Sequence, residues 1–568
     1  MNLRLWFAER ARPSDSHLYS LWAIPIGIVG AFATVAFRES IDGIQTVIFG
    51  QFGDPAYLAG TISWYARLLV PSLGGVVAGI FLALASRAAP KVVHSEYMEA
   101  VTIGNGIIPT THTILRAASS MCSIASGASI GREGPMVQLA ALCASLLGRL
   151  RTTNPENLRT IVACGAAAGI TAAYNAPVAG AFFVAEIVLG QIVAERMGPL
   201  IVASVVANIT MRLFPGYRAT YLPDHLTLPP VAELALFPVL GLGLGLAAPF
   251  YLAFLSAAKR YVGIFAMPAP VSLGMGGLCV GLISLWVPDT WGNGNAVVSA
   301  LIAHPTPWTV VASILIFKIV ATAASSASGA VGGIFTPTIF VGASLGALAA
   351  SLCTTILPGF ADSHSLFVIV GMGAFLAATT HAPLMSILMI LEMTLSYEVM
   401  LPLVIASVTA YAVSRLITPF AMYSATARVN ERRQAVDRAR GILVADILKR
   451  GEQVLPVGAS LAELRNMFLA MPVKYVYLVD TGMRFCGTVA LGDFNAVLPR
   501  ALSMDLSAAS IARHDVPTVA LSDSGPTVLT AFLKHDGERL PVVSDDGEMR
   551  FLGVVSKADF LLSIETLL

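Results

Sequence analysis

The chain has 568 residues, 56% hydrophobic and only 12% charged, about half the charge of a soluble protein. So many long apolar stretches cannot be hidden in a soluble core. A net charge of +1 says nothing about a partner; no nucleic-acid partner is expected.

Taken from the start, residues 1–20 are expected to be a cytoplasmic segment, with Arg4, Arg10 and Arg12 ahead of the first apolar run. The run 21–37 ends without a small-residue cleavage site, so it is expected to be a retained span. Apolar runs follow at 68–85, 161–188, 234–255 and 366–391. Each can cross a hydrocarbon core of about 30 Å as helix, with its backbone satisfied internally. The membrane unit is expected over 21–430. Beyond it come Arg428, Arg432, Arg433, Arg438 and Arg440, so both termini should be cytoplasmic in a multi-pass protein of the cell (inner) membrane. Cys122, Cys143, Cys164, Cys279, Cys353 and Cys486 lack metal-like spacing; packed, reduced thiols and no metal are expected.

The membrane region repeats. Residues 126–135 (SGASIGREGP) align without a gap on 328–337 (SGAVGGIFTP), and the register puts Ile114 and Arg116 on Ile316 and Lys318. Downstream, Asn175-Ala176-Pro177 with Glu186 matches His381-Ala382-Pro383 with Glu392, the acid nine residues after the proline in both. Such repeats commonly hold a substrate site where the halves meet. Segments 131–135, 333–337 and 104–109 each break an apolar context with glycine and proline. A helix starting there offers free N–H groups and a positive dipole end, which together attract an anion.

At Gly131-Arg132-Glu133-Gly134-Pro135 the chain resembles the CLC chloride channel and transporter family. Gly333-Ile334-Phe335-Thr336-Pro337 fits that family's second pore motif, and Met422-Tyr423-Ser424 the place of its pore tyrosine. The resemblance implies an all-α membrane domain of two inverted repeats with broken helices, assembled as a homodimer with a pore in each subunit. It implies an anion held by the amides of Ile334 and Phe335 beside the Tyr423 hydroxyl. Asn105, Gly106, Arg132, Glu133 and Gly134 complete the expected anion-binding set. Glu133 is the expected gate and proton carrier: ionised, it can occupy the anion's position; protonated, it vacates it. An ion pair with Arg132 is the plainer reading, weakened because adjacent helical residues diverge.

Two positions depart from the family. Asn105 stands where many members have a chloride-binding serine, and Ile187 stands where exchangers often carry an internal proton glutamate. Glu186 could substitute for the latter, although its repeat partner Glu392 favours a capping or packing role. Arg116 and Lys318 either raise the local potential for anions or snorkel and pair. His381 is expected to be a packed, hydrogen-bonded residue.

After a linker at 431–442 the texture changes. Segments 443–500 and 505–568 read as similar halves of strand, turn, strand, then a helix opening at Asp493 or Asp559. They resemble a tandem pair of CBS domains, an α+β cytoplasmic tail. The resemblance allows an adenine nucleotide at Ser556 and Asp559; a purely structural pair is the alternative. No cofactor is otherwise required. The partners expected are chloride or another small anion, protons, the lipid bilayer and a second copy of the chain.

The leading expectation is chloride/proton antiport, with a passive anion channel of the same fold as the alternative. Lesser readings are a ligand-sensing or cation-transporting membrane protein with a CBS tail. A magnesium site would need several inward carboxylates, which the membrane region lacks. An enzyme is not expected, for there is no His-Glu-x-x-His pattern, phosphate loop or nucleophile elbow.

Overall fold

A computed structural model describes residues 15–88, 96–102, 104–150, 154–214, 220–223, 226, 230–356, 363–423, 442–450, 453–471, 473–497, 507–535 and 537–565. Most of the expected N-terminal segment and, save Ile442, the expected linker lie outside these residues. The chain divides into two units, Met1–Arg428 and Val429–Leu568.

The first unit is helical. Six helices among the described residues are long and apolar enough to cross a membrane, including Leu21–Phe49, Trp64–Ala88 and Phe335–Ile356. Ten helices carry the repeat: α1 (Trp64–Ala88), α2 (Thr110–Ala125), α3 (Glu133–Arg149), α4 (Pro155–Tyr174), α5 (Pro177–Phe183), α6 (Ala269–Ser284), α7 (Trp308–Ala327), α8 (Phe335–Ile356), α9 (His364–Thr380) and α10 (Pro383–Thr394). The first five match the second five in order.

The match is one of backbone geometry as well as sequence. Asn175 and His381 end α4 and α9 in the left-handed region, at φ 57° and 56°. Ala176 and Ala382 follow with φ −122° and −125°, each leading into a proline at the next helix start. These corners correct an expectation: runs 161–188 and 366–391 are not single crossings. Each is broken where a left-handed residue and a proline without an N–H stop helix propagation.

The repeat also reaches further back than the sequence motifs. Gly74 on α1 meets Ser126, and Gly276 on α6 meets Ser328, so closely that an added Cβ would lie 2.1 Å and 2.4 Å from the serine hydroxyls. In lipid, packing rather than water exclusion drives helix contact, and small residues permit it. Glycine is required at both places for that reason.

In the second unit, strands β1 (Val454–Pro456), β2 (Tyr475–Val479) and β3 (Phe485–Ala490) form one sheet in that order. Strands β4 (Val519–Ala520), β5 (Arg539–Val543) and β6 (Phe551–Ser556) form another. Each sheet pairs its first two strands parallel and its last two antiparallel, with a register shift at Leu478/Val479 and again at Val542/Val543. The halves seen in sequence are thus two copies of one fold. Tyr477 of the first stacks on Phe551 of the second, ring centroids 5.0 Å apart.

Candidate functional site

The broken segments of the two repeats meet. Gly131 N–H donates to the Gly333 carbonyl at 2.7 Å, and Gly333 N–H donates to the Gly131 carbonyl at 2.8 Å. Equivalent residues exchanging both bonds in an antiparallel bridge is what an approximate two-fold axis between the halves produces. Helix α3 opens two residues beyond one glycine and α8 two residues beyond the other. Two helix N-termini, each with N–H groups lacking intrahelical partners, therefore start from one point.

Glu133 is the first residue of α3 and is only 5% exposed. Its Oε1 accepts from the Thr336 hydroxyl at 2.6 Å. The Thr336 hydroxyl lies 3.0 Å from the Tyr174 hydroxyl. Glu133 Oε2 has no hydrogen-bond partner among the described residues. A Cβ on Gly131 would sit 2.0 Å from that oxygen, so the glycine leaves the room into which the carboxylate folds.

Arg132 precedes the helix and lines a small cavity with Asp42, Gln45 and Asn293. Gly134 faces Gly333, where an added Cβ would be 3.5 Å from the Gly333 nitrogen. Ile334 and the buried Phe335 open α8. The Phe335 ring is 5.3 Å from Tyr174 and 6.0 Å from Phe183, and Phe183 is 6.0 Å from Tyr423. Arg132, Glu133, Gly134, Ile334, Phe335 and Tyr423 are thus gathered around one locus.

Asn105 and Gly106 are not among them. The Asn105 side chain is exposed and accepts from the N–H of Ile107, closing its own loop. The Gly106 carbonyl accepts from Ser145 at 2.7 Å. Ser145 lies twelve residues along α3 from Glu133, about 18 Å at 1.5 Å per residue. Arg149 and Arg159 hold the same loop through the Ile108 and Gly104 carbonyls, each at 2.6 Å. A glycine-led, proline-closed helix start looks the same at either end of a helix pair, and only packing tells which. Asn105→Ser should therefore leave anion selectivity unchanged within error in a liposome flux assay; a shift toward chloride would return Asn105 to the ion path.

Ile187 is buried and lies in a wider-than-α turn, Val184–Val188, with Glu186. Glu186 accepts from the Met385 N–H at 2.7 Å. Glu392 accepts from the N–H groups of Val178 and Ala179 at 3.0 Å and 2.8 Å. Each acid thus caps the first turn of the other repeat's helix, α10 or α5, where a negative charge is favoured.

Arg116 and Lys318, matched in sequence, part ways. Arg116 pairs with Glu96 at 3.1 Å. Lys318 is fully buried and donates to the Thr290 and Gly292 carbonyls at 3.0 Å and 2.7 Å. It thereby fixes the loop that brings Asn293 beside Arg132. His381 is half-buried, its ring 3.3 Å from the Ser414 hydroxyl.

In the tail, Ser556 donates to Asp559, and Lys449 reaches Asp559 at 2.7 Å. Arg513 holds Asp493 through two bonds of 2.7 Å. The cation ahead of each half thus grips the helix-opening acid of the other. Bonds from Lys449 and Ser556 hold the Asp559 carboxyl below the usual carboxylate range.

Sequence reasoning missed Thr336, Tyr174 and Asn293. Thr336 sits inside a motif read only for its glycine, Phe and proline, and Tyr174 adjoins Asn175; Asn293 carried no signal.

Comparison with known proteins agrees with this architecture. Residues 74–415 match the voltage gated chloride channel family, and residues 508–566 match the CBS domain. A ClcB-like chloride channel protein of Ralstonia nicotianae is 50% identical over 390 residues, 68% of this chain and 91% of that protein. A voltage-gated ClC-type chloride channel, ClcB, of Salmonella typhimurium is 38% identical over 71% of this chain and 97% of its own. Among solved structures, a slow cyanobacterial Cl−/H+ antiporter superposes with TM-score 0.63 at 23% identity, covering 73% of this chain and 98% of that one. A eukaryotic CLC transporter gives TM-score 0.61 at 16% identity over 96% of this chain and 99% of that one. The fold is that of CLC transporters, and this chain belongs to the voltage-gated chloride channel family.

Proposed function

We propose that the membrane unit exchanges chloride for protons across the cell membrane, with Glu133 as both gate and proton carrier. The observation that carries this reading is a buried carboxylate at the point where two opposed helix starts meet. Electropositive helix ends favour an anion there. An ionisable group at membrane depth is costly and usually functional. The ionised Glu133 side chain competes with chloride for the amides of α3 and α8, and protonation releases it. Tyr423 and Phe335 bound the same space from the aromatic side.

The curated relatives are named as channels, and the solved structures of this fold include antiporters of chloride and of fluoride with protons. Ile187 is the observation favouring passive conduction. A second copy of the chain completes a homodimer, and both termini face the cytoplasm. In the tail, Asp559 of the candidate nucleotide site is already engaged by Lys449, as its counterpart Asp493 is by Arg513, which supports a structural brace over an adenine-nucleotide site.

The test is reconstitution of the full chain in liposomes. An outward chloride gradient should drive protons uphill, against their own gradient. Chloride movement without proton movement would make the protein a passive channel.

A further inference from the structure

We propose that Tyr174 and Thr336 form a two-hydroxyl relay through which Glu133 exchanges its proton; the proposal rests on the exchange reading above. Ile187 binds no proton, and Glu186 is committed to the N–H of Met385. The proton must reach Glu133 through other groups.

Glu133, Thr336 and Tyr174 are 5%, 0% and 4% exposed. They are linked at 2.6 Å and 3.0 Å. A hydroxyl both donates and accepts, so the chain can run in either direction. With Glu133 ionised, Tyr174 donates to Thr336 and Thr336 donates to the carboxylate. With Glu133 protonated, its O–H donates to Thr336 and Thr336 donates to Tyr174. The two polarities differ by a proton shifted along the chain. In one passage the Glu133 O–H bond breaks as an O–H bond forms on Thr336. Thr336 passes its own proton to Tyr174, and Tyr174 passes its own to a pore water. Each hydroxyl loses one proton and gains one, and the net change is one proton moved from Glu133 to that water.

The fold itself does not require these hydroxyls. By the repeat alignment, Thr336 corresponds to Gly134 and Tyr174 to Thr380. Thr380 spends its hydroxyl on the Leu376 carbonyl of its own helix at 2.7 Å. Thr338, one turn from Thr336's neighbour Ile334, likewise bonds back to that residue's carbonyl at 2.7 Å. Thr336 instead points across the repeat interface to Glu133. At the far end, the Tyr174 ring lies 5.3 Å from Phe335, the first of the ring contacts that lead through Phe183 to Tyr423.

The experiment measures protons moved per chloride in liposomes for wild type, Tyr174→Phe, Thr336→Val and Thr336→Ser. Tyr174→Phe keeps the ring contact, and Thr336→Val keeps the shape. Both should lower the proton-to-chloride ratio by about tenfold or more while chloride still moves, as expected when a positioned proton-transfer group is removed. Thr336→Ser, which restores the hydroxyl, should hold the ratio near the wild-type value. A coupled wild type with equally coupled Phe and Val variants would overturn the relay alone. A parallel loss of both fluxes would assign the pair a structural role and also overturn it. An uncoupled wild type would overturn the relay together with the exchange reading.

Discussion

Replacing Glu133 by Gln is expected to abolish proton movement, by about 100-fold or more, and to make chloride flux independent of pH. The amide has the shape of the carboxylic acid, and its oxygen can still accept from Thr336, so the helix start stays intact. What it lacks is ionisation. In the wild type, the ionised carboxylate occupies the place between α3 and α8 that suits an anion, and acid removes that competitor. Wild-type chloride flux should therefore rise as pH falls. In Glu133→Gln the competitor is absent at every pH. Chloride efflux from liposomes over a pH series reads both effects. A variant that keeps the wild-type pH response would move the gate to another residue.

The second large effect is on stability, at the reciprocal caps. Glu392→Ala should destabilise the membrane unit by about 2–4 kcal/mol, since it strips acceptors from the N–H groups of Val178 and Ala179. The orphaned N–H of the buried Ala179 costs about 1–3 kcal/mol and that of the exposed Val178 adds less, with no water in the bilayer core to replace a lost bond. Glu392→Gln should cost less, because its amide oxygen still accepts one bond. Thermal unfolding in detergent ranks the three proteins. The companion change, Glu186→Gln, keeps an acceptor for Met385 but removes a titratable group. It should leave the proton-to-chloride ratio as in the wild type. A lower ratio would make Glu186 a proton site after all.

Much of the plan is legible in the sequence. The gapless match of 126–135 on 328–337 carried the duplication, and the paired acids Glu186 and Glu392 carried its continuation. Both tail halves repeat so fully that even their strand register shifts coincide. These features are readable because each is local: a glycine and proline in an apolar run stop a helix wherever the segment ends up. Glu133 stood out on the same ground, as an acid in apolar surroundings.

The partners were not legible. Glu133 and Thr336 are 203 residues apart, and Glu392 and Val178 are 214 apart. No spacing rule spans such distances. The loop at Asn105 shows the cost: its motif fits an anion site, yet the chain binds it to the far end of α3 through Ser145 and Arg149. The sequence by itself determined where helices break and that the molecule is built twice. Tertiary structure decided which broken ends face each other, because in lipid that choice follows from close packing at small residues such as Gly74 and Gly276, a matter of shape between distant segments.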